Sequence, residues 1–138
     1  MEVTFTKEET LKLIEEYYSK LEQRTVKATA TAKKGYTGWQ DEQVCITTIT
    51  ISEKMEIVGM EKEIVETITE EQLNTLLRAL FDLYDFSLTS ITLNDGLNSR
   101  WEGYGYNEHE VKTPYFNGIT AGLEKKKNHT RGKRPKGN

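Results

Sequence analysis

One segment limits the possible architectures more than any other. Thr69-Glu70-Glu71-Gln72 has the pattern of a capping box, in which Thr69 closes a helix N-terminus and Gln72 reaches back. Leu73, Leu76, Leu77, Leu80, Phe81 and Tyr84 follow at i, i+3, i+4, i+7, i+8 and i+11. That spacing places every apolar side chain on one helical stripe. A helix with one apolar face is not stable alone and must lie on another layer.

The remaining segments supply that layer. Thr6-Lys7-Glu8-Glu9 is a second capping box, and Leu11, Ile14, Tyr18 and Leu21 give a first helix that should end near Arg24. Glu8, Glu9, Glu15, Glu16 and Lys20 are expected to face solvent. Val26, Ala28, Ala30 and Ala32 then alternate with Lys27, Thr29, Thr31 and Lys33, a period of two with small residues on one face. Such a face suits close helix packing. Lys34 to Glu42, with Gly35 and Gly38, reads as a hairpin loop. Val44 to Ile51 is β-branched, with Cys45, Thr47, Ile49 and Ile51 sharing a face. It is expected to be buried on both sides or bulged near Thr48. Ser52-Glu53-Lys54 reads as a turn into a third strand, Met55 to Ile64, with a bulge or close approach at Gly59. Phe86 to Leu93 is a fourth strand, ended by the turn signal Asn94-Asp95-Gly96. Trp101 to Tyr106 and His109 to Phe116 form a possible last hairpin, with Pro114 favouring an edge.

These elements predict an α+β fold. Its core is an antiparallel sheet of four to six strands with two helices packed on one face, in the order α-β-β-β-α-β-(β-β). Residues 1–123 form one domain, and residues 124–138 a disordered basic tail. The tail has no apolar residue able to anchor a fold. At 138 residues the chain has room for one core and needs no disulfide or metal to hold it. The single cysteine, Cys45, favours a reducing compartment, and no apolar run has the length of a membrane span or a secretion signal. The expected location is cytoplasmic.

Charge is divided sharply along the sequence. The net charge of −3 is the sum of −10 over residues 1–124 and +7 over residues 125–138. An acidic body and a basic end therefore share one chain.

Signatures of catalysis are missing. There is no Gly-x-Ser-x-Gly elbow and no phosphate-binding Gly-x-x-x-x-Gly-Lys loop. Cys45 lies mid-strand among apolar neighbours, and reads as a small buried hydrophobe. Glu108-His109-Glu110 lacks the spacing of a zinc site, since neighbours in a strand point to opposite faces. Gly103-Tyr104-Gly105 is half a phosphate loop and reads as a flexible turn. No cofactor and no metal are expected.

Binding is the better reading of this inventory. Acidic residues of the third strand, Glu53, Glu56, Glu61 and Glu63, together with Tyr36 and Trp39 in the hairpin loop, are candidate contacts for a protein partner. The expected function is a small non-enzymatic binding or regulatory protein. Its acidic body would engage a basic, nucleic-acid-handling partner, as an inhibitor or nucleic-acid mimic does. The alternative is an accessory protein that binds RNA or single-stranded DNA. It would use Trp101, Tyr104 and Tyr106 with Lys125, Lys126, Lys127, Arg131, Lys133 and Arg134. The same aromatics, with Tyr115 and Phe116, could instead pack a C-terminal hairpin onto the sheet.

Overall fold

A computed structural model describes residues 1–38 and 42–126. Both capping boxes form as the sequence dictates. Thr6 Oγ1 accepts from Glu9 N–H at 3.1 Å, and Glu9 Oε1 accepts from Thr6 N–H at 2.9 Å. Thr69 and Gln72 repeat the exchange at 3.0 and 2.9 Å. Helix α1 spans Lys7–Leu21 and helix α2 spans Glu70–Leu83. At the end of α1, Gln23 takes a φ of 55° and the Arg24 N–H returns to the Tyr18 carbonyl at 2.9 Å. That left-handed step stops the helix and satisfies one of its last carbonyls.

The strands are β1 (Glu2–Phe5), β2 (Lys27–Thr37), β3 (Glu42–Ile57), β4 (Met60–Ile68), β5 (Phe86–Glu102) and β6 (His109–Lys125). They form two antiparallel three-stranded sheets, ordered β1-β6-β5 and β2-β3-β4. The core gathers Ile14 and Tyr18 of α1, and Leu73, Leu76, Leu77, Leu80 and Phe81 of α2. Against them lie Ala28, Ala30, Ile49, Ile51, Leu88, Ile119, Ala121 and Leu123 from the strands. Each fully buried leucine contributes about 1.5–3 kcal/mol. The alanine face of β2 lies against α1 as expected. Glu15, expected in solvent, instead accepts from the Ala28 N–H at 2.8 Å. Ala28 is on the outer strand of its sheet, so the helix carboxylate satisfies an edge donor.

Several expectations are corrected. The strands divide between two sheets rather than one, because β5 and β6 pair with each other and with β1 while β2, β3 and β4 pair among themselves. β1, which precedes the first helix, lies with Val3 opposite Ala121 and Phe5 opposite Ile119. A four-residue strand leading into a capping box has too little alternation to be read. Ser52-Glu53-Lys54 is no turn, since β3 runs through it in unbroken register with β4, and Ser52 also pairs with Lys27 of β2. The turn lies at Val58-Gly59, with φ of 52° and 76° between the opposed Ile57 and Met60. Positive φ at both central residues is the geometry that matches the twist of a two-residue hairpin. No register shift occurs near Thr48.

Asn94-Asp95-Gly96 is likewise no turn. β5 passes through it with an irregularity between Leu93 and Asp95, then continues opposite Phe116 and Tyr115. The turn-forming residues serve the strand instead. Thr47 of the other sheet donates to Asp95 Oδ2 at 2.5 Å. A side chain at Gly96 would begin 2.9 Å from the Tyr115 hydroxyl. At Pro114, β6 has β5 on one side only, because β1 reaches no further than Ile119. The missing N–H is tolerated there.

β6 also runs past Leu123. Glu124 and Lys125 pair with Ser87 and Phe86. Lys126 donates its N–H to the Asp85 carbonyl at 2.9 Å, and its ammonium pairs with Asp82. The rest of the basic segment lies outside the described residues. Among the described residues, no helix is long and apolar enough to cross a membrane.

Candidate partner-binding surface

Two long hairpins extend beyond the core. In the β5–β6 hairpin, everything from Asn98 to Trp101, and His109 and Glu110 opposite, is exposed. Its tip is built from backbone. Gly103 has a φ of 96°, and a side chain there would begin 2.2 Å from the Asn107 carbonyl oxygen. A single 3-10 turn, Gly105–Asn107, follows. It is closed by Asn107 N–H to Tyr104 O at 2.9 Å and Glu108 N–H to Gly105 O at 3.2 Å. His109 Nδ1 lies 2.8 Å from the Asn107 carbonyl. The segment read as a loose glycine turn is therefore a defined scaffold.

That scaffold presents aromatic rings to water. Trp101 is 66% exposed, Tyr104 92% and Tyr106 108%. The core explanation therefore holds for Phe116, which is buried, and partly for Tyr115, but fails for these three. Trp101 stands directly opposite Glu110, whose Oε2 is held by the Ser99 hydroxyl at 2.5 Å. Glu102 pairs with Arg100. Over residues 98–113, Glu102, Glu108 and Glu110 face only Arg100 and Lys112, a net charge of −1. Glu108, His109 and Glu110 do not converge. Among the described residues, no group of three possible ligands is placed to hold a metal.

The β3–β4 hairpin carries the expected acidic residues on two faces. Glu56 stands opposite Glu61, and Glu63 opposite Lys54, all exposed. A like-charge pair directly across strands is destabilising, and a basic partner would relieve it. Glu53 turns the other way. Arg24 Nε and Nη2 both reach its Oε1, at 2.9 and 2.8 Å. That hydrogen bond, ahead of the nearby carboxylate charges, holds the Arg24 guanidinium above its ordinary range. Arg24 also lies 3.8 Å from Glu66 and 5.2 Å from the centre of the Tyr18 ring. Glu53 thus has a structural partner already, and its role is to join β3 to the end of α1.

Of the other candidates, Tyr36 is exposed near the end of β2, opposite Gln43. Trp39 lies outside the described residues, as do Lys127, Arg131, Lys133 and Arg134. Lys125 belongs to β6, and Lys126 is bound to Asp82. Cys45 is half-buried and donates its thiol to the Tyr115 carbonyl at 3.4 Å. One feature is not evident from the sequence. Met55, Ile57, Val58 and Met60 leave a run of apolar surface at the end of the β3–β4 hairpin. The signal was present as apolar residues on both sides of Val58-Gly59, but it requires knowing that the hairpin outreaches the helices.

Comparison with models of known families, with curated proteins and with solved structures found no match to this chain.

Proposed function

We infer that this is a non-enzymatic binding protein that regulates a basic, nucleic-acid-handling protein partner. The β5–β6 tip is its anchor, and the outer face of the β3–β4 hairpin presents its rows of carboxylates. One observation carries the reading: Trp101, Tyr104 and Tyr106 stand exposed on a hydrogen-bonded tip among carboxylates. Trp and Tyr dominate the energetics of protein interfaces, because they bury much area for few rotatable bonds. Aromatic faces beside Glu102, Glu108 and Glu110 suit arginine and lysine side chains, through cation–π and ion-pair contacts. The same carboxylates repel phosphate, so the tip suits a basic protein better than a nucleic acid. The net charge of −10 over residues 1–124 would steer such a partner.

The test is capture from nuclease-treated extract of the native host, comparing the wild-type chain with W101A/Y104A/Y106A. The expected result is a basic protein retained by wild type, reduced at least tenfold by the variant, and released by duplex DNA or heparin as competitor. Equal capture by both chains would refute the role of the tip. Binding of a labelled oligonucleotide that disappears on deleting residues 127–138 would establish the nucleic-acid reading in its place.

A further inference from the structure

The outer edge of β4 is open. β4 ends the β2-β3-β4 sheet, and among the described residues nothing pairs with its far side. A nine-residue edge with free N–H and C=O groups is a template for another strand. Met60, Lys62, Ile64, Glu66 and Ile68 lie on the face that carries Ile49 and Ile51. At Ile68 this face is buried in the core. Beyond the charged positions Glu53, Lys62 and Glu66, it is apolar again at the tip but uncovered, at Met55, Ile57 and Met60.

A second copy of the chain fits this edge in one register. Opposed residues in antiparallel pairs alternate between hydrogen-bonded and non-hydrogen-bonded types. A two-fold axis must therefore pass through a residue that faces its own counterpart, and that residue fixes every other pair. An axis at Glu61, Glu63 or Glu66 sets glutamate against glutamate. An axis at Lys62 sets lysine against lysine, and Glu61 against the partner's Glu63. An axis at Val65 sets Ile64 against the partner's Glu66 and brings no opposite charges together, whereas an axis at Ile64, which likewise sets Glu63 against the partner's Val65, does. An axis at Ile64 joins two isoleucines and sets Lys62 against the partner's Glu66, twice over. It also sets Met60 against the partner's Ile68, so the uncovered apolar end of each hairpin lies beside the covered end of the other. Glu66 can take part alongside its 3.8 Å contact with Arg24, because half its side chain is exposed.

We propose that two copies associate through β4 in the antiparallel register centred on Ile64, making one continuous six-stranded sheet. The charges that protect this edge against other strands select that register. Each chain keeps its β5–β6 tip, so the assembly is bivalent for a partner.

Sedimentation equilibrium of the full chain, from about 1 to 200 μM, tests the proposal. The expected species has twice the 15.9 kDa chain mass. Lys62→Glu creates two like-charge pairs and should weaken association at least tenfold, as should Glu66→Lys. The double variant K62E/E66K should recover to within a few-fold of wild type. Both positions are exposed, and circular dichroism would verify that each variant is folded. A wild-type chain that stays at the single-chain mass overturns the proposal. So does a dimer indifferent to both single changes, or a double variant that fails to recover. The variants touch no tip residue, so their outcome is separate from that of the capture experiment.

Discussion

Val58 holds a backbone conformation that its side chain opposes. A β-branched residue at a φ of 52° brings Cβ close to the following carbonyl, at a cost of about 1–2 kcal/mol. The side chain is 89% exposed and has little packing to offset that cost. Asn-Gly is the preferred pair for such a turn. Val58→Asn should therefore stabilise the protein by about 1 kcal/mol, read as a higher midpoint in urea with an unchanged slope. A lower midpoint would mean that the valine makes a contact in solution. Arg24 shows the opposite relation between residue and site. Glu22 is close by in sequence, but Glu53 and Glu66 lie far along the chain, so their convergence on Arg24 is invisible there. Composition counts Glu53 as free charge, whereas the fold makes it the partner of a guanidinium.

At the scale of elements, the helices were legible and the strands were legible only in part. Caps and stripes are local, so Thr6, Thr69 and the leucines of α2 declare themselves within a few residues. Strand length is not local. Asn94-Asp95-Gly96 has the chemistry of a turn, yet β5 only shifts register there and resumes pairing with β6 at Asp95, because hydrogen bonds on the facing strand outweigh a weak local preference. β1 depends on one position of β6. Gly118 has a φ of 109°, and a side chain there would begin 2.0 Å from the Phe5 carbonyl oxygen. That close approach is where the chain leaves β1 for α1. Gly118→Ala adds left-handed strain to a clash with backbone. It should destabilise the protein by about 3 kcal/mol. Hydrogen exchange should show loss of protection first at Val3 and Phe5. Unchanged protection of β1 would show that the crossing can shift without cost.

Across the whole molecule, tyrosine hydroxyls reinforce the helical layer, within α1 at Tyr17 and between the two helices at Tyr84. Burial raises Tyr17 and Tyr18 above 10.0, with the Tyr17 bond to Glu22 adding to its shift. The bond to Glu16 raises Tyr84. Tyr84 thereby ties the end of α2 to α1 at 2.7 Å. A folded-state value above the unfolded one means that the native chain holds its protons longer. This contribution is intact below about pH 10 and is lost as pH rises through the folded values. Urea midpoints should fall from pH 9 to 11, and Y17F/Y84F should flatten the fall. A fall equal to that of the wild type would exclude these hydroxyls. The two helices, their caps, the alanine face of β2, the antiparallel α+β class and the opposition of charge can be read along the chain, because each rests on neighbouring residues or on composition. The division into two sheets, the inward turn of Glu53, and the exposure of Trp101, Tyr104 and Tyr106 arise only on folding. Those depend on how far each hairpin outreaches the core, and that length is set by pairing between strands distant in the chain.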